Sequence, residues 1–454
     1  MRHVRIHDTL TGEPRPLEPR DPPKVGIYAC GPTVYAPIHV GNARPYVVFA
    51  LLKRFLEHEG SEVTLVENVT DVNDKIYDAA RERGIRSAEL ARDMTDAYVE
   101  ATDRLGLGRP DREPKASETI DDIVALIEAL IESGHAYQAN GDVYFRVGSF
   151  DGYGKLSNRP LEEMHQGEGD DAAEMKESPQ DFALWKGRKE GEDTWWDAPW
   201  GQGRPGWHIE CSAMAETILG LDFEVHGGGS DLVFPHHENE IAQTEAARGK
   251  PLARVWMHNG MVEMDAEKMA KSVGNIRLLH VALDEFGRDA VVMWLVGAHY
   301  RKPVAFSEEA LADAGRAVQR VREFIRRLDV DAPDPDGLDE VVERFFDALA
   351  DDFNTPAARA ILFDWIAEGN RRMDEGEVLG RGRLGEMLYA LGLEDLLEEP
   401  AEEAPDEVRR LADERDAART ARDFARADRI REELAAQGWE VRDTPGGAQL
   451  VPKE

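Results

Sequence analysis

Apolar runs separated by polar, glycine- and proline-bearing breaks set out the first part of the chain. Residues 25–30 form a short apolar run that reads as a strand, and Gly31-Pro32-Thr33 ends it. His39-Val40-Gly41-Asn42 then opens an apolar stretch, residues 46–58, that reads as a helix. Residues 62–66 are a second β-rich run, closing on residues 67–71. Strands alternating with helices predict an α/β fold with a parallel sheet. Ligands of such sheets sit at the carboxyl ends of the strands, where Cys30 and Thr70 fall.

The pattern changes over residues 117–204. A helix is expected at about 118–134, a hairpin-like stretch at 141–147 and a polar loop at 162–181, together an insertion into the sheet domain. From Arg204 the α/β pattern resumes and runs through His226-Gly227-Gly228-Gly229. Beyond Phe306 the chain reads as helical, with linkers at 331–337 and 398–405, a last helix at about 406–437 and a turn at 445–447. At 454 residues the chain is too long for one ordinary core, and two to four domains are expected. The longest purely apolar run, residues 46–52, is far short of a membrane span, and no apolar segment follows the first residues as a signal peptide requires.

Charge adds a condition. The 90 acidic residues outnumber the 55 basic ones, giving −35, and lysine (13) is scarce beside arginine (42). Self-repulsion of this size opposes a compact state in dilute salt, and salt relieves it, with a Debye length of about 3 Å at 1 M. The composition reads as that of a halophile, the plainer reading being an ordinary acidic enzyme. Ordinary domains usually carry a net charge of only about 2–8 in magnitude.

Four features carry candidate chemistry. His39-Val40-Gly41-Asn42 sits at a strand-to-helix junction, where free backbone N–H groups and the positive dipole end suit phosphate; Gly41 allows close approach, and His39 and Asn42 add donors. Lys268 and Lys271 lie three apart before Gly274, in a chain that elsewhere prefers arginine, and a lysine is a compact point charge suited to phosphate. The two cysteines, Cys30 and Cys211, are a disulfide, inert thiols or metal ligands; with the run Phe234-Pro235-His236-His237-Glu238-Asn239-Glu240, in which His236 and Glu240 share a helix face at i and i+4 and His237 lies one residue off it, they offer thiolate, imidazole and carboxylate, which suit Zn²⁺. Gly227-Gly228-Gly229 lets a nucleotide's base or ribose pack on bare backbone. Taken singly, each has a plainer structural explanation: a capped turn, a solvated loop, buried thiols, a flexible tract.

Taken in order, the blocks resemble the cysteinyl-tRNA synthetases, members of the class I aminoacyl-tRNA synthetases. The resemblance runs almost end to end. It includes Tyr28-Ala29-Cys30-Gly31-Pro32-Thr33-Val34-Tyr35, Asn68-Val69-Thr70-Asp71-Val72-Asn73-Asp74-Lys75, Gly203-Arg204-Pro205-Gly206-Trp207-His208-Ile209-Glu210-Cys211, residues 226–240 and residues 268–275. It implies a class I Rossmann-type catalytic domain (1–116 and 205–250) with a connective insertion (117–204). A signature-loop region (251–310), a helical anticodon-binding domain (311–400) and a C-terminal tRNA-contacting module (401–454) would follow. Cysteine and ATP would form cysteinyl-adenylate and pyrophosphate, and the cysteinyl group would pass to tRNA(Cys). By the same resemblance His39, Gly41, Asn42, Gly228 and Lys271 would bind ATP with its Mg²⁺. Lys268 and Lys271 would hold the charge on the leaving pyrophosphate. Cys30, Cys211, His236 and Glu240 would hold one Zn²⁺ per chain, and Gly31, Thr70, Trp207, His226 and Asp231 would line the cysteine pocket. A cytoplasmic monomer, with no membrane partner, is expected.

Departures are small: Ala270 replaces the usual Ser of the second signature, and Val40, Asn42 and Asn73 depart from generic patterns. Arg415, Arg419, Arg422, Arg426 and Arg429, spaced 4, 3, 4, 3, would share a helix face, either toward tRNA or paired with nearby acids. Competing readings are an ATP-dependent ligase joining cysteine to an amino sugar, which would lack the helical C-terminal region, and a non-catalytic RNA-binding paralogue. A zinc hydrolase would need an H-E-x-x-H spacing that is absent.

Overall fold

A four-stranded parallel sheet is the frame on which the motif blocks of the first half converge in space. The computed structural model describes residues 2–160, 175–264, 267–268, 276–398, 405–420, 423–437, 439–444 and 447–452. Strands β1 (Arg5–Asp8) and β2 (Glu13–Pro16) form an antiparallel hairpin. The central sheet takes β3 (Lys24–Ala29) and β4 (Glu62–Glu67) from the first half of the chain. The insertion supplies β5 (Ala136–Ala139), β6 (Asp142–Phe145), β7 (Phe182–Gly187) and β8 (Gly203–Pro205), an antiparallel sheet in that order. Then come β9 (Phe223–Gly229) and β10 (Ala253–Asn259), which complete the central sheet in the order β10-β9-β3-β4, every pair parallel.

The insertion shares its core with the helices Trp207–Leu219 and Glu238–Arg248, which contribute Ile209, Ala213 and Ala242. The apolar face of the Ile120–Glu132 helix, Ile123, Ile127 and Leu130, packs with Val143, Phe145, Phe182, Leu184 and Trp185 of the antiparallel sheet. Further on, β11 (Val262–Met264) pairs with β12 (Glu267–Lys268) and with β13 (Val304–Ala305). The helices Glu308–Arg327, Leu338–Ala350, Thr355–Asp374 and Leu384–Ala390 follow. The chain divides into two compact units, residues 1–393 and 394–454. The second holds the helices Asp406–Thr420 and Phe424–Ala436 and the hairpin of β14 (Trp439–Thr444) and β15 (Gly447–Pro452), around Val408, Leu411, Ile430, Leu434 and Trp439. Among the described residues no helix is long and apolar enough to cross a membrane.

Three expectations need correction. The first long helix begins at Val40, six residues before the apolar stretch, because His39 and Asn42 cap it reciprocally and Pro45 is tolerated near its start. The glycine tract, expected to offer bare backbone to a nucleotide and read more plainly as a flexible loop, is the end of strand β9. A Cβ on Gly227 would lie 2.3 Å from the Met257 carbonyl oxygen and 2.4 Å from the Phe49 ring, so bare backbone there lets neighbours close on β9. The final helix is two helices, the second capped by Asp423, whose carboxylate accepts the Arg426 N–H at 3.1 Å. Consequently the arginine row is not one helix face. Arg415 is buried and pairs with Asp416 at 3.0 Å. Arg422, much of the 162–181 loop, Ala270, Lys271 and part of the 445–447 turn lie outside the described residues.

Candidate active site

A cleft of about 450 Å³ opens at the carboxyl ends of the parallel strands. Its lining includes Cys30, Gly31, His39, Gly41, Asn42, Thr70, Trp207, Cys211, Asp231 and His236. Most of the residues singled out in the sequence therefore meet in one cavity.

The loop after β3 supplies one wall. Its backbone pairs with the chain after β4: the Val34 N–H donates to the Thr70 carbonyl at 3.2 Å and the Thr70 N–H to the Pro32 carbonyl at 3.2 Å. Buried Asn68 fixes both neighbours, accepting the Gly31 N–H at 2.9 Å and donating to the Thr70 hydroxyl at 3.2 Å. A Cβ on Gly31 would lie 1.7 Å from the Asn68 carbonyl oxygen, so only glycine fits. The Val40–His58 helix points its N-terminus at the cavity. His39 Nδ1 accepts the Gly41 N–H at 3.1 Å, and Asn42 Oδ1 accepts the His39 N–H at 3.2 Å. The Val40 N–H is taken by the Arg277 carbonyl at 3.0 Å, which brings residue 277 onto this helix start.

Beneath the cleft lies a cluster of donors. One ligand atom each from Cys30, Cys211, His236 and Glu240 lies within 4.8 Å of the others, and all four residues are buried. Glu240 Oε1 accepts from Cys30 Sγ at 3.5 Å and lies 3.0 Å from His236 Nε2. Helical spacing gives the second contact; the pairing of β3 with β9 and the Trp207–Leu219 helix bring the two thiols in. Trp207 stacks on His236, centroids 4.5 Å apart. Burial and the bond to Cys211 push the Cys30 thiol well above its ordinary value, while that bond pulls Cys211 down. Burial works to lower His236, but Glu240 and Cys211 hold it above its ordinary value. Two sulfurs, an imidazole and a carboxylate, buried together beside a substrate-sized cavity, fit a borderline-soft divalent metal, Zn²⁺ before Mg²⁺ or Ca²⁺.

A second set, Cys30, His226, His237 and Glu240, shares two of these groups. His226, expected in the amino-acid pocket, lies outside the cavity lining. Its Nε2 is 3.1 Å from Glu240 and 3.7 Å from Cys30 Sγ. Gly228 also lies outside the lining, its bare Cα covered by Leu232 and His237, and Gly229 takes the place on the wall. Lys268 is described only as backbone, paired with Glu263 in β12. Sequence reasoning set His237 aside as one residue off the ligand face and gave His208 no role, yet His237 Nε2 lies 3.3 Å from Cys30 Sγ and His208 Nδ1 3.0 Å from His236 Nδ1. It also missed Asn68, Glu67, Lys75 and Asn259 as neighbours or lining of the cleft. Residues 68, 75, 208 and 237 stand in blocks already singled out; no single residue type marked the others.

Comparison with known proteins places these features in a family. The description "tRNA synthetases class I (C) catalytic domain" matches residues 16–316, and "DALR domain" matches residues 344–393. The cysteine–tRNA ligase of Halorhodospira halophila is 46% identical over 98% of this chain and 99% of its own. Those of Brevibacillus brevis and Caldicellulosiruptor saccharolyticus are 44% and 42% identical over the same shares. Among solved structures, a Mycobacterium tuberculosis methionyl-tRNA synthetase bound to methionyl-adenylate shares the fold, with a TM-score of 0.60 at 16% identity over 82% of this chain and 88% of that one.

Proposed function

The chain belongs to the cysteine–tRNA ligase family of the class I tRNA synthetases, and from that membership we propose how its residues divide the reaction. The enzyme activates cysteine with ATP and joins it to tRNA. In the first step the cysteine carboxylate attacks the α-phosphorus of ATP, giving cysteinyl-adenylate and releasing pyrophosphate. In the second, a ribose hydroxyl of tRNA(Cys) takes the cysteinyl group and AMP leaves.

The observation that carries this reading is the buried sulfur–nitrogen–oxygen cluster in the floor of the cleft onto which the Val40–His58 helix points its N-terminus. The helix start, with His39, Gly41 and Asn42, suits the ATP phosphates, which travel with Mg²⁺. Lys268 and Lys271 would balance the charge that grows on the departing pyrophosphate, an electrostatic contribution made by positioning. Gly31 and Thr70, braced by Asn68, with Trp207 and Asp231, form the wall around the amino acid; the Asp231 carboxylate complements its ammonium. Zn²⁺ held by Cys30, Cys211, His236 and Glu240, one per chain, would supply a preference for the soft sulfur of cysteine over the oxygen of serine. An apolar pocket alone separates such near-isosteres poorly. His226 acts on this pocket from behind, through Glu240 and Cys30. The relatives align over 98% of the chain, its helical C-terminal region included, which favours tRNA charging over an amino-sugar ligase. The region of the DALR match and the C-terminal module would read the tRNA, and the enzyme would work as a cytoplasmic monomer.

Charging of total tRNA with labelled cysteine tests the proposal, with chelator-stripped and Zn²⁺-restored protein side by side. Loss of charging on stripping and its return with Zn²⁺ is expected. Full charging by metal-free protein would refute the metal's part. Cysteine-dependent pyrophosphate exchange without any charging would return the amino-sugar ligase to the front.

A further inference from the structure

A triphosphate and a tRNA end must both enter this cleft, in a chain of net charge −35. Of the described residues that line it, Lys75 is the one lysine or arginine, while two carboxylates, Glu67 and Asp231, share the lining. Lys75 is exposed, and its Nζ lies 5.7 Å from the centroid of the Tyr35 ring, itself part of the wall. No described carboxylate pairs with it. The adjacent Asp74 is turned toward the insertion, where Lys186 holds it at 2.8 Å and Arg204 also bonds it. Other lysines of the same unit are engaged: Lys24 with Asp21, Lys53 with Glu57 and Asp111, Lys115 with Glu118, Lys155 with Glu245. Asn73 fixes the base of the side chain by accepting the Lys75 N–H at 3.1 Å, so the helix Asp74–Arg83 starts at the cleft with this lysine in its first turn.

We propose that Lys75 holds a phosphate group of the substrates in the active cleft. A lysine resting over an aromatic face keeps its charge and gives up little on leaving it, since an exposed cation–π contact is worth only about 0.5–1 kcal/mol. An ammonium on a flexible stem then meets a phosphate as a point charge, without demanding bidentate geometry. Two sources offer that chemistry: the ATP or adenylate phosphate, and the phosphodiester at the tRNA acceptor end.

The test compares full-length K75M and K75R with the parent protein. The inference rests on the reading of the cleft as the site of cysteine activation. Charging by the parent secures that reading first, so a failure of K75M to differ counts against Lys75 alone. Pyrophosphate exchange without tRNA gives KM for ATP, and charging over a KCl series gives KM for tRNA. K75M is expected to raise one of them roughly tenfold, the scale of a charge-assisted bond, while K75R stays near the parent. A rise in the ATP constant identifies the ATP phosphate. A rise confined to the tRNA constant, with its salt slope reduced by about one, identifies the phosphodiester. Unchanged constants in both arms overturn the proposal, and so does a K75R variant impaired as far as K75M.

Discussion

Replacing Arg44 by methionine tests whether one wall of the cleft hangs from the helix behind it. Arg44 is buried on the Val40–His58 helix. Its guanidinium donates to the carbonyls of Gly260 at 2.6 Å, Met261 at 3.0 Å, His299 at 3.2 Å and Lys302 at 2.6 Å. Gly260 and Met261 line the cleft, and residues 299–302 brace them from behind. Each bond from a charged donor is worth about 1.5–3 kcal/mol net, so four near the low end come to roughly 6–8 kcal/mol. Burial works against this, pulling the guanidinium from its ordinary value down to about 10. That corresponds to a cost of about 3 kcal/mol recovered when the charge is removed. R44M should therefore lose about 3–5 kcal/mol in urea unfolding at neutral pH. Its KM for ATP should rise because the wall at residues 260–261 loosens. A loss under about 1 kcal/mol with an unchanged ATP constant would refute the reasoning.

Glu67 gives a pH test. Burial pushes its carboxyl up to about 7, from 4.5, against the opposing hydrogen bond from Tyr98. The folded state then keeps a proton that the unfolded state loses, so this group's contribution falls as pH rises between these two values. E67Q should be no more stable than the parent at pH 4.5 and more stable at pH 8 by up to about 3 kcal/mol; an equal gain at both pH values in urea melts would sink the argument. At Gly41 an added Cβ would sit 2.8 Å from the His39 ring, so G41A must displace that side chain and break its cap. Roughly 1 kcal/mol of stability should be lost, with pyrophosphate exchange reduced further than charging of preformed adenylate; equal reductions would count against a phosphate site there. For the acidic surface, tRNA affinity measured from 0.1 M to multimolar KCl should fall less than phosphate neutralisation alone dictates. An affinity that collapses with salt would show that charge, not shape, holds the tRNA.

Much of the frame was legible because its signals are local. The strand at 25–30 and the β-run at 62–66 announce themselves by apolar runs closed by turn residues, and they are β3 and β4, parallel neighbours. His236 and Glu240 meet because i and i+4 share a helix face, and the structure puts them 3.0 Å apart. What the sequence hid depends on register. Tyr28 stands opposite His226 in the β3–β9 pairing, so His226 falls behind Cys30 and leaves the cavity. No local pattern states which residue of one strand faces which of another. The glycine tract misled for a related reason: its neighbours, Phe49 and Met257, come from distant parts of the chain. The early helix start was readable from His39 and Asn42 as a cap, but the apolar period drew the boundary to residue 46 instead.

The arginines show how so acidic a chain can still fold around a site for polyanions. In the helical region several are spent on carboxylates. Arg371 pairs with Glu368 and Glu375, Arg372 with Glu377, and Arg383 with Glu386, Glu343 and Asp339. Exposed pairs of this kind contribute little stability each, but they keep like charges apart on a surface where acids outnumber bases. Arg44 is used differently, on carbonyls alone, and Lys75 differently again, with no acid partner among the described residues. At the cleft a charge without an acid partner counts for more than it would in open water, because the protein wall lowers the local dielectric. Such a layout binds phosphate where chemistry needs it and leaves the rest of the tRNA to be recognised by shape and base contacts. That is why the predicted salt response of tRNA binding and the Lys75 variants test the same design from opposite sides.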